Sequence, residues 1–265
     1  MNILKQIVEN KKAEIAYHKS MFPLEHLLEP LFINRETISF KDAVKTSPHG
    51  IIAEFKRKSP SKGWINRDAC INNIIEGYTY YNVAAISVLT DPDFFGGSLN
   101  DLKQARRISD KPLLRKDFII DEYQILQAKA FGADCILLIA AILDTKTLKR
   151  FTRLAHSIGL EVLLEIHSYN ELEALECNPD MVGINNRDLT TFEVSTETST
   201  RLIKDIPENL ARISESGINS VETIKMLRKS GFDGFLMGEQ FMKNDTPEES
   251  LKGLIDEISL KLNEI

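Results

Sequence analysis

From Ile51 onward the chain alternates a short apolar, β-rich run with a longer helical stretch, eight times over. The runs are Ile51–Lys56, Ala85–Leu89, Leu113–Lys116, Cys135–Ile139, Glu161–Ile166, Met181–Asn185, Ala211–Ser214 and Gly234–Met237. The stretches between and after them are Asp68–Tyr81, Leu99–Ser109, Glu122–Phe131, Thr145–Ser157, Glu171–Cys177, Thr196–Lys204, Val221–Lys229 and Pro247–Leu262. Strands alternating with helices predict a parallel sheet with helices packed against it. Eight such units, in a chain of 265 residues, fit an α/β protein of the closed (β/α)8 TIM-barrel type, usually about 250 residues long. The competing arrangement is a doubly wound open sheet. Its dinucleotide-binding version is disfavoured because the first β–α turn lacks a Gly-x-Gly-x-x-Gly fingerprint.

The first 48 residues show no strand signal. Ile3, Leu4, Ile7, Val8 and Ile15 fall near one face of a helix over Met1–Ser20, with Lys and Glu opposite. A short helix is expected at Pro23–Leu28, and another at Ser39–Thr46 with Ser39 as N-cap. The organisation expected is a helical extension, 1–48, packed on a single barrel, 49–265. A hydrophobic content of 43% leaves ample material for a core. A formal charge of −6 argues against general nucleic-acid binding, while leaving room for a local basic pocket. Cys70, Cys135 and Cys177 are odd in number, widely spaced and without zinc-ligand spacing, which points to a reduced, cytoplasmic setting. Neither a signal peptide nor a run of ~20 apolar residues for a membrane span is found.

In a barrel of this kind the strands' C-terminal ends carry the active site, and those ends here are polar. The stretch Ile51–Gly63 starts as an apolar strand and finishes in a turn rich in Lys, Ser and Pro. Residues two apart on a strand share a face, so Glu54 and Lys56 point the same way. Strand 3 ends in Arg115-Lys116-Asp117-Phe118, strand 5 in Glu165-Ile166-His167, and strand 6 in Asn185-Asn186-Arg187-Asp188. Strand 7 ends in Ser214-Glu215-Ser216-Gly217 and strand 8 in Gly238-Glu239. Buried charges cost several kcal/mol unless paired, so a ring of them is expected to be functional. Gly217 and Gly238, after strands 7 and 8, read as a phosphate site built from backbone N–H groups, with Glu239–Met242 as a short helix behind them.

These motifs resemble the indole-3-glycerol phosphate synthase family along nearly the whole chain. The residues that carry the resemblance are Ala53-Glu54-Phe55-Lys56-Arg57-Lys58-Ser59-Pro60-Ser61, Ser87-Val88-Leu89-Thr90-Asp91, Phe94-Phe95-Gly96-Gly97 and Leu114-Arg115-Lys116-Asp117-Phe118-Ile119. They continue through Leu164-Glu165, Gly183-Ile184-Asn185-Asn186-Arg187-Asp188-Leu189, Ser214-Glu215-Ser216-Gly217-Ile218 and Gly238-Glu239. The resemblance implies ring closure of 1-(2-carboxyphenylamino)-1-deoxyribulose 5-phosphate with loss of CO2 and water, without metal or organic cofactor. It implies Lys116 as the acid at the ketone oxygen, Glu165 as the base of the dehydration, and Lys56 as a second cation or the acid of one step. Glu54 holds the lysines charged and oriented. Which lysine transfers which proton stays open at this level.

By the same resemblance Asn185, Glu215 and Ser216 bind sugar hydroxyls or phosphate, Arg187 faces the anthranilate portion, and Ser59 joins the substrate site. Phe94 or Phe95, Phe118, Pro60 and Leu189 form the slot for the aromatic ring, and Gly217, Gly238 and Glu239 take the phosphate, with the Glu239 side chain turned away. His167 is read as structural or exposed. Arg115 and Ile65 are unexplained. The expected protein is a monomer acting on a small sugar phosphate, with no nucleic-acid or membrane partner. Phosphoribosylanthranilate isomerase, the nearest rival barrel, uses a cysteine at the end of strand 1, where Glu54 and Lys56 stand here. A non-catalytic sugar-phosphate binder is the rival of a different class.

Overall fold

The computed structural model describes residues 3–27, 32–187 and 193–262. Eight parallel strands close on themselves: β1 (Ile51–Phe55), β2 (Ala85–Leu89), β3 (Leu113–Lys116), β4 (Cys135–Ile139), β5 (Glu161–Ile166), β6 (Met181–Asn185), β7 (Ala211–Glu215) and β8 (Gly234–Met237). Each pairs with its neighbours in sequence, and β8 pairs with β1 through Ile51↔Phe235. Three helices come first: α1 (Ile3–Met21), α2 (Leu24–Leu27) and α3 (Phe40–Thr46). The barrel helices are α4 (Ile71–Tyr80), α5 (Pro92–Phe95), α6 (Leu99–Ile108), α7 (Glu122–Ala130), α8 (Thr145–Ser157), α9 (Thr196–Leu202), α10 (Val221–Lys229), α11 (Glu239–Met242) and α12 (Pro247–Leu262). No helix among the described residues is long and apolar enough to cross a membrane.

The period of two along each strand decides which residues reach the site. One set, including Ile51, Ala53, Val88, Leu138, Leu164 and Val182, packs outward against the helices. The alternate set, including Ile52, Leu114, Leu137, Leu163, Met181, Ile213 and Leu236, fills the interior. Phe40 and Val44 of α3 join this inner cluster and plug its N-terminal end. Gly234 lets α3 come that close, since a Cβ there would lie 2.7 Å from Val44 Cγ1. Continuing the inner set toward the C-terminal ends gives Glu54, Lys116, Glu165, Asn185 and Glu215. The apolar interior therefore supports a charged rim.

The extension is fastened to the barrel by polar contacts as well as packing. Asp134, fully buried just before β4, accepts from Ile38 N at 2.8 Å and Arg35 Nη2 at 2.5 Å. It also receives Arg106 Nη1 at 2.9 Å. Ser39 caps α3 as the sequence suggests, its side chain accepting from Asp42 N.

The remaining differences from the sequence reading are local. Glu171–Cys177 lies inside a 3-10 helix, Tyr169–Cys177, not an α-helix. Its tighter winding eclipses residues three apart and turns Ala174 and Cys177 together into the core. The first barrel helix starts at Ile71 rather than Asp68, and β1 ends one residue before Lys56. Between them Lys58–Ser59 pairs antiparallel with Gly63–Trp64, so the expected turn is a small hairpin at the barrel mouth. Leu28, the expected end of the second helix, lies outside the described residues.

Candidate active site

A cavity opens at the C-terminal end of the barrel. Its walls include Glu54, Lys56, Ser59, Pro60, Phe95, Lys116, Phe118, Glu165, Asn185, Arg187, Glu215, Ser216, Gly217, Gly238 and Glu239. Residues up to 185 positions apart meet there because each stands at or just after the end of a different strand. Two positions of the sequence reading are not among them. Phe94 does not line the cavity. On the single turn of α5 the two phenylalanines project differently, and only Phe95 reaches inward, its ring centroid 5.9 Å from that of Phe118. Leu189 lies outside the described residues.

Lys116 is the electrostatic centre. Its Nζ lies 3.0 Å from Glu165 Oε2 and bonds the carboxylate of Glu215 across the barrel. Burial works against its charge, but Glu215, Glu165 and Glu54 outweigh that and hold the amine above the ordinary lysine range. It is therefore an ammonium at any physiological pH. Glu165 experiences the converse: burial raises its carboxyl, and the cations of Lys116 and His167 overcome this and keep it ionised. In Glu215 burial wins and pushes the carboxyl up, despite Lys116, with Glu165 adding like-charge repulsion. Two carboxylates sharing one lysine are thus driven apart, one held as a base and one inclined to carry a proton. Glu215 Oε1 is buried with no hydrogen-bond partner among the described residues, leaving an acceptor for a ligand.

On the facing side Lys56 Nζ meets Glu54 Oε1 at 2.6 Å, the same side that their two-residue spacing predicts, although Lys56 lies just past the end of β1. The Ser59 hydroxyl is buried beside them and has no partner among the described residues. Asn185 turns its Oδ1 onto Arg187 N at 3.0 Å. Asn186 Nδ2 holds the Ser216 carbonyl at 2.8 Å, pinning a turn in which Ser216 and Gly217 both take positive φ, 66° and 70°. A serine in that region stores ~1–3 kcal/mol of strain.

The glycines serve closer approaches than the sequence suggested. A Cβ on Gly238 would lie 2.8 Å from Glu54 Cβ and Oε1, so Gly238 makes room for the Glu54 side chain. At Gly217 a Cβ would meet Val194 Cγ1 at 2.2 Å. Glu239 is half-buried and sits 3.8 Å from Lys62 Nζ, its charge met by a surface cation.

Three contributors escaped the sequence reading. His167, expected to be structural or exposed, is half-buried with Nε2 3.3 Å from Glu165 Oε1 and Nδ1 3.5 Å from Glu171 Oε2. Burial lowers its pKa, but the two carboxylates reverse this and raise it to about 10. The signal was its two-residue spacing from Glu165, which gives both one strand face. Gly183, inside β6, is where a Cβ would fall 2.1 Å from Glu215 Oε1; a glycine in a strand interior often marks such an approach. Lys11 of α1 is fully buried against Asp91 and Asp117. Its signal was a lysine at four-residue spacing between Ile7 and Ile15. Arg115, unexplained by the sequence, is buried on Asp117 Oδ2 at 2.9 Å and the Gln124 carbonyl at 2.7 Å.

A closed barrel of eight parallel strands, with lysine–carboxylate pairs at the C-terminal ends of its strands, defines a protein of the TIM-barrel class. Within that class the chain belongs to the indole-3-glycerol phosphate synthase family, whose model matches residues 4–254. It is 48% identical to the indole-3-glycerol phosphate synthase of Bacteroides thetaiotaomicron over 257 residues, covering 97% of this chain and 99% of that one. With the synthase of Thermoanaerobacter pseudethanolicus the identity is 45% over 242 residues, 91% of this chain and 92% of the relative. Among solved structures, a chain of the tryptophan synthase α2β2 complex from Pyrococcus furiosus superposes with a TM-score of 0.60 at 17% identity, covering 83% of this chain and 99% of that one. The N-acetylmannosamine-6-phosphate 2-epimerase of Clostridium perfringens gives 0.60 at 16% identity, with 84% and 98% covered. These two likenesses show the barrel fold alone.

Proposed function

We propose that this chain is an indole-3-glycerol phosphate synthase of tryptophan biosynthesis. It closes the ring of 1-(2-carboxyphenylamino)-1-deoxyribulose 5-phosphate to indole-3-glycerol phosphate, CO2 and water, a carboxy-lyase reaction. The observation that carries the reading is Lys116, a half-buried ammonium held between Glu165 and Glu215 beside the Phe95–Phe118 pair. The ring carbon bearing the carboxylate attacks the ketone, and negative charge develops on the ketone oxygen. Lys116 meets that charge and donates its proton, and Glu215, inclined to be protonated, is placed to replace it. Loss of CO2 restores the aromatic ring. Glu165 then takes the proton next to the nitrogen while a lysine ammonium, Lys116 or Lys56, gives one to the hydroxyl, which leaves as water. Preorganised groups of this kind contribute 10²–10⁴-fold each by general acid–base action.

Phe95, Phe118 and Pro60 flank the anthranilate ring, and Arg187 offers a planar guanidinium to its carboxylate. Lys56, oriented by Glu54, supplies a second cation. Asn185 and Ser216 bind sugar hydroxyls. Ser59 and the Gly217 and Gly238–Glu239 backbone receive the phosphate. Residues 1–48 belong with this reading as an extension on the 49–265 barrel, as do a monomeric state and a cytoplasmic setting. The test is turnover: adding the carboxyphenylamino substrate to purified protein should produce indole fluorescence and release CO2. Binding without either product would leave a sugar-phosphate binder instead.

A further inference from the structure

Lys11 stands in the middle of the apolar stripe of α1, between Ile7 and Ile15, with no exposure to solvent. A buried ion pair is often no more stabilising than apolar residues of the same volume, so stability alone does not explain a lysine there. Its ammonium contacts Asp91 Oδ2 at 2.8 Å, Asp117 Oδ1 at 3.0 Å and Glu14 Oε2 at 2.7 Å. Asp91 and Asp117 close the two strands whose loops carry Phe95 and Phe118. The Asp91 Oδ1 atom caps α5 by accepting from Phe94 N at 2.7 Å. Asp117 Oδ1 accepts from Phe118 N at 2.8 Å, and its Oδ2 from Thr90 Oγ1 at 2.6 Å. Asn10, next to Lys11, donates to Asp93 Oδ2 at 2.7 Å, a second tie from α1 to α5. Ile3, Leu4 and Ile7 of the same helix face the cavity.

We propose that Lys11 is a positioning residue of the active site: it draws the ends of β2 and β3 together so that Phe95 and Phe118 keep the spacing of the aromatic slot. The inference rests on the proposed function for the identity of the ring that enters. Removing the ammonium leaves Asp117 with Arg115 alone and takes from Asp91 its Lys11 partner, so the two carboxylates lose the cation they share and the tie between the two segments is released. Small displacements of positioning groups lower catalysis strongly, since a shift of ~1 Å is worth up to about 10²-fold. The phosphate edge, on β7 and β8, lies on other strands and keeps its geometry.

The experiment compares wild type, Lys11→Met and the double variant Lys11→Met/Asp91→Asn. Asparagine retains the N-cap and removes one of the two carboxylate charges, so the double variant restores charge balance without restoring the tie. Four readouts are taken: KM and kcat for the carboxyphenylamino substrate, the dissociation constant of inorganic phosphate, amide exchange in Asp91–Gly97 and Asp117–Ile120, and the melting temperature, which is expected to fall in Lys11→Met. For Lys11→Met the expected result is a KM raised about tenfold or more, phosphate affinity within about twofold, and faster exchange confined to those segments. The double variant should regain the lost melting temperature but keep the high KM. An unchanged KM in Lys11→Met, or recovery of KM together with melting temperature in the double variant, would overturn the proposal and leave Lys11 a counter-charge only. Should Lys11→Met fail to fold, the double variant carries the comparison. If wild type does not turn over the substrate, the proposed function fails, and the exchange pattern still decides whether Lys11 ties the two segments.

Discussion

Lys116→Met removes one positive charge from a cluster in which Lys56 is already paired with Glu54 and His167 with Glu165. Glu215 is then left without a cation. In wild type, burial raises its carboxyl to about 7. Without Lys116 it rises further, and the variant should take up about one proton there at slightly alkaline pH. A raised carboxyl withdraws stability as pH climbs from the unfolded value to the folded one, by about 1.4 kcal/mol per pH unit. In wild type that loss levels off above about 7, while in the variant it continues. Between about pH 7 and 9 the variant should therefore lose ~3 kcal/mol relative to wild type, in keeping with the 3–5 kcal/mol for breaking a buried pair. Turnover should fall by about 10²–10⁴-fold, the usual worth of an acid catalyst. Urea denaturation at three pH values reads the first effect, and indole fluorescence the second. Retention of more than about a tenth of wild-type kcat would refute Lys116 as the acid. A stability difference that does not change with pH would refute the charge balance.

Glu165→Gln keeps the shape of the base but cannot take a proton, so the dehydration half should slow more than ring closure; rapid-quench analysis should show CO2 released ahead of indole, and simultaneous loss of both would remove its specific role. Gly238→Ala should lower kcat by pushing Glu54 off Lys56, as its Cβ would sit 2.8 Å from Glu54; a loss confined to phosphate affinity, measured by calorimetry, would contradict this. His167 has a pKa raised to about 10, above its unfolded value near 6.5, so its contribution to stability is full below about 6.5 and is lost as pH rises through about 10. His167→Asn should accordingly flatten the stability profile across that window and raise the apparent pKa of the base in the pH–rate profile, whereas an unchanged profile would make the histidine a spacer.

The chain's local chemistry already contained the eight β/α units, their boundaries to within a few residues, and the shared face of Glu54 and Lys56. These follow from short-range causes: apolar periodicity, caps such as Ser39, and the period of two along a strand. The short helix α5 is absent from the sequence expectation, which has only a loop after strand 2, although Asp91 caps it, Pro92 stands in its first turn and Gly96 ends it in the left-handed conformation. Periodicity assigns a residue to a face, but not the partner it meets across a closed barrel. That partner depends on the closure and stagger of all eight strands, which brought Lys116 onto Glu215, 99 positions away. The same long-range packing selected Phe95 over Phe94, brought the half-buried His167 against Glu165, and gave Gly183 and Gly238 the task of clearing space for two glutamates. It also carried Lys11 from the first helix to the ends of β2 and β3. A lysine on an apolar stripe has a readable anomaly in sequence, but only the assembled barrel supplies the two carboxylates that make its burial affordable.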